Sequence, residues 1–86
     1  MEFEFDLNKS KVNKEKHGIN FQEAELLWKD TNRIVIPAKN INEVRFLIIA
    51  KINNKLWSAI YTIRNEKIRI ISVRRSRENE KEIYES

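Results

Sequence analysis

Residues 44–73 set the architecture of this chain, and they read VRFLIIAKINNKLWSAIYTIRNEKIRIISV. Three apolar segments of strand length are separated by Asn53-Asn54 and by the turn from Arg64 to Lys67. Asn tolerates the positive φ angles of a two-residue hairpin turn, so the first separator predicts a tight hairpin. The segments predict three consecutive antiparallel strands, the first of them buried on both faces. Their expected bounds are about 44–51, 56–63 and 68–73.

The residues before this segment predict a short strand and a polar helix. Phe3-Glu4-Phe5 alternates at period two, which is typical of a strand. Asp6 is suited to cap a helix over about residues 7–16, and Gly18 is suited to end it in the left-handed conformation. Leu7 and Val12 are the few apolar residues of that helix, so we expect them to anchor it.

A second helix is predicted to begin at Asn20, where Asn20 and Glu23 fit a capping box, and to run to about Lys29. Its apolar stripe comprises Phe21, Ala24, Leu27 and Trp28. A strand over about 33–36, a polar loop over 38–43 and a last helix over about 76–84 complete the order β-α-α-β-β-β-β-α. The expected fold is a single α+β domain over 1–86, with a largely antiparallel sheet of about four to five strands, two N-terminal helices and a C-terminal helix.

Composition excludes several classes of function. The chain has no cysteine, which rules out a disulfide framework, a thiolate nucleophile and a zinc–thiolate site. One glycine rules out a glycine-rich phosphate loop. The acidic residues are dispersed, so we expect no metal and no cofactor. No apolar run approaches membrane-spanning length, and the acidic start is unlike a signal peptide, which predicts a cytoplasmic protein without a membrane partner.

Positive charge is concentrated in the second half of the chain. Residues 44–86 hold ten Lys and Arg against five Asp and Glu, and the stretch 64–77 holds six cations against Glu66 alone. Such a block attracts phosphate backbones or acidic proteins, although a solvated surface is the ordinary alternative. The candidate RNA-binding residues are Arg64, Lys67, Arg69, Arg74, Arg75 and Arg77.

Strand alternation limits how these cations can cooperate. It predicts Ile68, Ile70 and Ser72 on one face of the last strand, and Arg69, Ile71 and Val73 on the other. Arg74 and Arg75 are then expected to leave the strand end on opposite sides. Arg64 and Arg74 fall at opposite ends of their hairpin, so sequence alone does not bring them together.

Arginine suits RNA cleavage because its guanidinium grips phosphate oxygens and stabilises the charge that builds on the phosphorane. Two further groups are needed, one to take the 2′ proton and one to protonate the leaving oxygen. His17, the only histidine, is a candidate, and the ordinary alternative is a residue that complements the helix dipole. Other candidates for proton transfer are Lys16, Tyr61, Tyr84 and Glu80.

Taken in order, the sequence resembles the BrnT toxin family. The matching pieces are Phe3-Glu4-Phe5-Asp6, Asn13-x-x-Lys16-His17-Gly18, Phe21-x-x-Ala24, Arg45-Phe46, Tyr61-Thr62-x-Arg64, Ile68-Arg69-Ile70-Ile71-Ser72-x-Arg74-Arg75 and Glu80-x-x-x-Tyr84. They span nearly the whole chain.

The resemblance implies a RelE-like fold and metal-independent ribonuclease activity that inhibits translation. It also implies neutralisation by a BrnA-like DNA-binding antitoxin in a hetero-oligomer, with operator DNA reached only through that antitoxin. The functional residues implied by position are Lys16, His17, Thr62, Arg64, Arg74, Arg75 and Tyr84.

Two functions of different class follow from the same charge block. The first is an RNA-cleaving toxin. The second is a non-catalytic basic module that binds RNA or an acidic protein, including a degenerate toxin that keeps only its partner interface. The first predicts cleavage of RNA in the presence of chelator, whereas the second predicts salt-sensitive binding without cleavage.

Overall fold

The computed structural model describes residues 2–39 and 42–86 and confirms the α+β fold and the predicted order of elements. The strands are Phe3–Glu4 (β1), Ile34–Ala38 (β2), Arg45–Ile52 (β3), Lys55–Arg64 (β4) and Lys67–Arg75 (β5). The helices are Leu7–His17 (α1), Phe21–Ala24 (α2) and Glu78–Glu85 (α3), with a 3₁₀ helix at Glu25–Lys29 after α2. Asn40 and Ile41, in the polar loop predicted over 38–43, lie outside the described residues. No helix in the described part is long and apolar enough to cross a membrane.

The five strands form one mixed sheet in the order β1-β5-β4-β3-β2. β2 to β5 are antiparallel, whereas β1 adds to the edge of β5 in parallel. Both tight turns use positive φ angles, at Asn53 and Asn54 and again at Asn65 and Glu66. Each turn contains two residues, so Ile52 pairs with Lys55 and Arg64 pairs with Lys67, the second as the sequence predicts.

The main core lies on one face of the sheet, called here the inner face, beneath α1, α2 and the 3₁₀ helix. Phe21, Ala24 and Leu27 are at most 1% exposed, which confirms the predicted stripe of the second helix. Within β3, the consecutive residues 48–50 are fully buried, so this strand is covered on both faces as expected. The opposite, outer face carries Ser58, Ile60, Thr62 and Arg64 of β4, and α3 covers only part of it.

A β-bulge corrects the predicted faces of β5. Ile60 pairs with Ser72 but Tyr61 pairs with Ile70, so Ile71 is an extra residue that reverses the alternation. Val73 therefore joins Ile68 and Ile70 in the core, whereas alternation had placed it on the opposite face. Without the bulge, the polar Ser72 would be buried and the apolar Val73 exposed, which explains the irregularity.

The attachment of α1 differs from the prediction. Leu7 and Val12, expected as its apolar anchors, are 75% and 47% exposed, and its buried residues are Ser10 and Asn13. The Asn13 amide donates to the carbonyls of Ile19 (2.8 Å) and Val73 (2.9 Å), and its oxygen accepts from the Val73 N–H (3.2 Å). Asn13 thus occupies the edge of β5 as the peptide of another strand would, because β1 covers that edge only at Ile68 and Arg69.

Replacing Asn13 by alanine is expected to lower the free energy of unfolding by about 2–3 kcal/mol, because it leaves buried backbone groups of Val73 and Ile19 without partners. The matched control is Val12→Ala on the same helix, where an exposed side chain is expected to cost less than about 0.5 kcal/mol. Urea denaturation of both variants measures the difference. Equal losses would show that α1 is held by its apolar residues after all.

Candidate active site

The largest group of cations lies on the outer face, at the end of the sheet where β4 enters its turn. Thr62 pairs with Arg69 across β4 and β5, and Arg64 pairs with Lys67 in the next position. Arg45 begins β3 and, by the register of the β3–β4 pair, lies on the other side of Thr62. Neighbouring strands are about 4.8 Å apart, so these side chains share one patch of surface. Its cations, Arg45, Arg64, Lys67 and Arg69, are called here the basic end.

Carboxylates lie close to each cation of the basic end. Three carboxylates, those of Glu2, Glu4 and Glu43, lie within 3.9 Å of its four cations. The closest contact, at 3.0 Å, joins Arg69 Nη1 to Glu4 Oε2, whereas the Arg64 side chain is 52% exposed. The patch therefore keeps an accessible guanidinium, that of Arg64, which suits it to a phosphate.

Lys16 and His17 lie elsewhere on the surface, in a groove between the last turn of α1 and the bulged part of β5. The groove encloses about 390 Å³ and is lined by both side chains together with Ile71 and Ser72. Both Lys16 and His17 are exposed, and neither makes a hydrogen bond or ion pair with a residue in the described ranges. Their polar atoms are therefore available to a ligand.

The groove and the basic end are separate regions of the surface. Ser72, in the groove, pairs with Ile60, and the next outer-face pair along β4 is Thr62 with Arg69. Two residues along a strand span about 7 Å, so the basic end begins about that far along the sheet from Ser72. Lys16 and His17 lie on α1, on the side of the sheet opposite to Arg64.

Thr62 is at the centre of the basic end but its side chain is only 4% exposed. Its hydroxyl donates to the Val44 carbonyl at 2.6 Å, which ties β4 to the residue preceding β3. Thr62 therefore joins the strand that carries Arg64 to the start of β3.

Arg74 lies at the far end of the outer face, beside Ser58 and beneath α3. Its guanidinium donates two hydrogen bonds of 2.8 Å to the carboxylate of Glu80, which is 5% exposed. Glu80 also accepts from the Ser58 hydroxyl and the Arg77 backbone N–H, both at 2.8 Å. The Arg74 hydrogen bonds, aided by these donors, hold the pKa of Glu80 at about 2, well below its usual range. This cluster attaches α3 to the sheet. The Arg74 guanidinium is occupied by its two hydrogen bonds to Glu80.

The structure separates the other predicted cations. Arg64 and Arg74 lie at opposite ends of the β4–β5 hairpin, about 20 Å apart along β4. Arg75 leaves on the inner face, on the opposite side from Arg74 as predicted, with its guanidinium 5.3 Å from the Trp57 ring centroid. Arg77 is exposed immediately before α3. The cations predicted as one RNA-binding set are therefore distributed over both sheet faces.

Tyr84 lies at the C-terminal end of α3. Its hydroxyl donates to Asp30 Oδ2 at 2.8 Å, and the same oxygen accepts from the Lys51 backbone N–H at 2.8 Å. Burial and this contact with the Asp30 carboxylate raise the pKa of Tyr84. Burial disfavours the charged form of Asp30, but the hydrogen bonds from Asn32, Lys51 and Tyr84 outweigh it and lower the pKa of Asp30. Tyr84 therefore joins α3 to the residues around β3.

Replacing Tyr84 by phenylalanine is expected to cost about 0.5–1.5 kcal/mol of unfolding free energy, the typical contribution of one hydrogen bond. Because its hydroxyl is bound to Asp30 and distant in the fold from Arg64, we expect RNA cleavage by the variant to stay within about twofold of the parent. Thermal denaturation and a cleavage assay of the same preparation check both values. A folded variant with cleavage lowered about 100-fold would place Tyr84 in proton transfer instead.

Arg45 was not among the RNA-binding residues predicted from the sequence, and Glu80 was predicted as a candidate for proton transfer and not as the partner of Arg74. A signal for Arg45 was present, since counting back from the Asn53-Asn54 turn places it opposite Thr62. No signal paired Glu80 with Arg74, because that contact depends on how α3 crosses the sheet. In the sequence, Glu80 resembles the other acidic residues of a solvated helix.

The arrangement can bind and polarise a phosphodiester. Arginines at the basic end can stabilise charge on a phosphate, and His17 and Lys16, in the separate groove, carry groups able to exchange protons. In residues 2–39 and 42–86, no group of three or more acidic or histidine side chains is placed to hold a metal ion.

Comparison with known proteins gives one family. The family described as ribonuclease toxin, BrnT, of type II toxin-antitoxin system matches residues 5–80, a range that contains the basic end, the groove and the Arg74–Glu80 pair. No curated protein matches the chain.

Proposed function

Because the chain belongs to the BrnT family of ribonuclease toxins of type II toxin–antitoxin systems, we propose that it is an endoribonuclease that cleaves RNA at the basic end without a metal ion. The observation that carries the proposal is the accessible Arg64 on a sheet face that also presents Arg45, Arg69 and Lys67. A second polar region of the surface is the groove with Lys16 and His17.

The reaction that fits these groups begins with attack of the 2′-oxygen on the neighbouring phosphorus. The bond from phosphorus to the 5′-oxygen breaks, and the products are a 2′,3′-cyclic phosphate and a free 5′-hydroxyl. Arg64 and Arg69 stabilise the negative charge of the phosphorane. One proton must leave the 2′-oxygen and another must reach the leaving 5′-oxygen, and the exposed Lys16 and His17 are the candidates for these transfers.

The other residues of the predicted site do not contact the reacting phosphate, and they stabilise the elements around it. Thr62 orients the strand that carries Arg64, and the Arg74–Glu80 pair and Tyr84 hold α3 in place. Arg75 and Arg77 contribute longer-range attraction for the RNA backbone.

In the cell, the proposed activity degrades RNA in the cytoplasm and thereby inhibits translation. A BrnA-like DNA-binding antitoxin neutralises it in a hetero-oligomer and connects the pair to operator DNA. The accessible Arg64 favours a partner that covers it with a carboxylate, since opposite charges accelerate association.

The direct test uses a short single-stranded RNA and a version of it in which every 2′-hydroxyl is O-methylated, each incubated with the purified protein in EDTA. We expect cleavage of the RNA, with cyclic phosphate ends, and none of the methylated strand, because methylation removes the nucleophile. A variant of Arg64, purified in parallel, controls for contaminating nuclease.

Two outcomes would contradict the proposal. Cleavage that disappears in EDTA and returns with a divalent ion would show metal-assisted hydrolysis. Binding of both strands without any cleavage would instead establish the non-catalytic basic module.

A further inference from the structure

The groove between α1 and the bulged part of β5 has a polar lining that contains no acidic residue among those the structure describes. Its polar residues are Asn8, Lys9, Asn13, Lys16, His17 and Ser72. The Asn13 side chain is occupied by its hydrogen bonds to Ile19 and Val73. The side chains of the other five are exposed and form no hydrogen bond or ion pair within residues 2–39 and 42–86.

This lining distinguishes the groove from the basic end. At the basic end, a carboxylate lies within 3.9 Å of each cation. In the groove, Lys9 and Lys16 carry positive charges without a carboxylate in the described lining. Each free polar side chain there also has at least one hydrogen-bond donor, whereas a phosphodiester offers only acceptors. The groove therefore suits an anionic ligand that accepts hydrogen bonds.

The position of Lys9 has no explanation within its own helix. Lys9 stands in the first turn of α1, where the helix dipole favours an acidic residue and disfavours a cation. Lys16 and His17 lie in the last turn, where a cation complements the dipole. The dipole thus accounts for the cations at the end of α1 but not for Lys9, and an anion bound in the groove would offset the unfavourable placement of Lys9.

The groove is long enough for more than one phosphate, and it opens at the edge of the sheet. Lys9 and Lys16 are seven residues apart on one helix, which separates them by about 10.5 Å along its axis. Among the described residues, β1 covers the edge of β5 only at Ile68 and Arg69, so β5 is itself the edge strand at Ser72. A strand of RNA can therefore pass from the outer face at Arg69, around the edge at Ser72, and into the groove.

From this lining and this position, and resting on the proposed ribonuclease function, we propose that the groove binds the phosphate backbone of the RNA substrate next to the segment held at Arg64. Lys9 and Lys16 contact different phosphates, because of their separation along α1. The Ser72 hydroxyl donates to the backbone where the strand rounds the sheet edge. Lys9 is then an RNA-binding residue, and the substrate contacts both sides of the sheet.

The test measures binding of the 2′-O-methylated oligonucleotide, which cannot be cleaved, to the full chain, to Lys9→Gln, to Lys16→Gln and to the double variant at several salt concentrations. In the double variant, we expect the affinity at about 0.1 M salt to fall about 10–30-fold. The slope of log affinity against log salt concentration should become shallower by about 1.4, because each phosphate contact on a single strand contributes about 0.7. Each single variant should give about half of that change in slope.

Two matched variants separate this local effect from net charge and from folding. The pair Lys11→Gln and Lys29→Gln removes the same charge at exposed positions that do not line the groove. At about 0.1 M salt, where the screening length is about 10 Å, we expect this pair to lose less than about twofold in affinity. Arginine at both groove positions keeps the charge and should bind within about twofold of the parent. Thermal denaturation confirms that every variant is folded.

Three results would overturn the inference. The first is a loss in the groove double variant that is no larger than in the Lys11 and Lys29 pair. The second is a loss of affinity without a shallower salt slope, since that loss would not come from phosphate contacts. The third is a loss seen with an acidic peptide and not with the oligonucleotide, which would make the groove a site for an acidic protein.

The outcome is independent of cleavage. The expected loss of affinity and slope in a protein that does not cleave RNA would retain the groove as a phosphate site and reject the proposed function. Cleavage by the parent, with groove variants that bind like the control pair, would retain the function and reject the role of the groove.

Discussion

Replacing Arg64 by alanine is expected to lower the rate of RNA cleavage by about 100–1000-fold, the usual effect of removing one group that stabilises transition-state charge. The side chain is 52% exposed and lies at the end of β4, so its loss should leave the fold intact. Single-turnover cleavage of a defined RNA, with the protein in excess, measures the change in the chemical step. Circular dichroism and thermal denaturation confirm the fold.

The matched control is Arg75→Ala, which removes the same charge from the neighbouring strand. The Arg75 side chain lies over Trp57 on the inner face, and its Nε donates to the Leu56 carbonyl at 3.3 Å. Because it is on the opposite side of the sheet from Arg64, we expect cleavage within about threefold of the parent, through long-range attraction alone. If Arg75→Ala loses as much activity as Arg64→Ala, the reacting phosphate is bound somewhere other than the basic end.

The register that forms the basic end was predictable because both turns are tight. Two Asn residues permit a two-residue turn after β3, and from that turn each residue of β3 has one partner in β4. The expectation that Arg64 pairs with Lys67 follows in the same way and is confirmed. In such hairpins the residues of the turn determine which side chains face each other across the two strands. The register can therefore be predicted from the sequence of the turn.

The faces of the last strand were not predictable from alternation. The bulge at Ile71 places Val73 in the core and its backbone within hydrogen-bond distance of Asn13, and both effects stabilise the bulge. Asn13 precedes Val73 by 60 residues, and no local pattern links them. The same bulge places Arg74 on the outer face beside Ser58. Alternation without the bulge predicts different neighbours for every residue that follows.

The prediction that Leu7 and Val12 anchor α1 was wrong because it considered only apolar residues, whereas the buried residues of the helix are polar. Ser10 accepts a hydrogen bond of 2.9 Å from the Phe21 N–H, and with Asn13 it supplies the buried contacts of a helix with few apolar residues. Polar side chains bury favourably only when every partner is in place. Those partners come from distant parts of the chain, so the sequence of α1 alone cannot reveal them.

Replacing Glu80 by glutamine is expected to lower the free energy of unfolding by about 2–4 kcal/mol near neutral pH. The variant leaves the partly buried Arg74 guanidinium without its carboxylate and weakens the contacts that hold α3 to the sheet. For a domain of this size, the melting temperature should fall by roughly 10–20 °C. The control is Glu78→Gln on the same helix, whose side chain is 87% exposed and whose ion pair with Lys81 is 3.7 Å long, so it should change stability by less than about 0.5 kcal/mol.

The pH dependence of this difference tests its electrostatic origin. Folding lowers the pKa of Glu80 from its usual 4.5 to about 2, so the folded state favours the ionised carboxylate. Its stabilising contribution is complete above about pH 4.5 and is lost progressively as the pH falls toward 2. The parent and Glu80→Gln should therefore converge in unfolding free energy over that interval, as measured by urea denaturation at several pH values. A gap that stays constant down to pH 2 would mean that glutamine disrupts the packing of α3, and that the charge of Glu80 contributes little to holding the helix on the sheet.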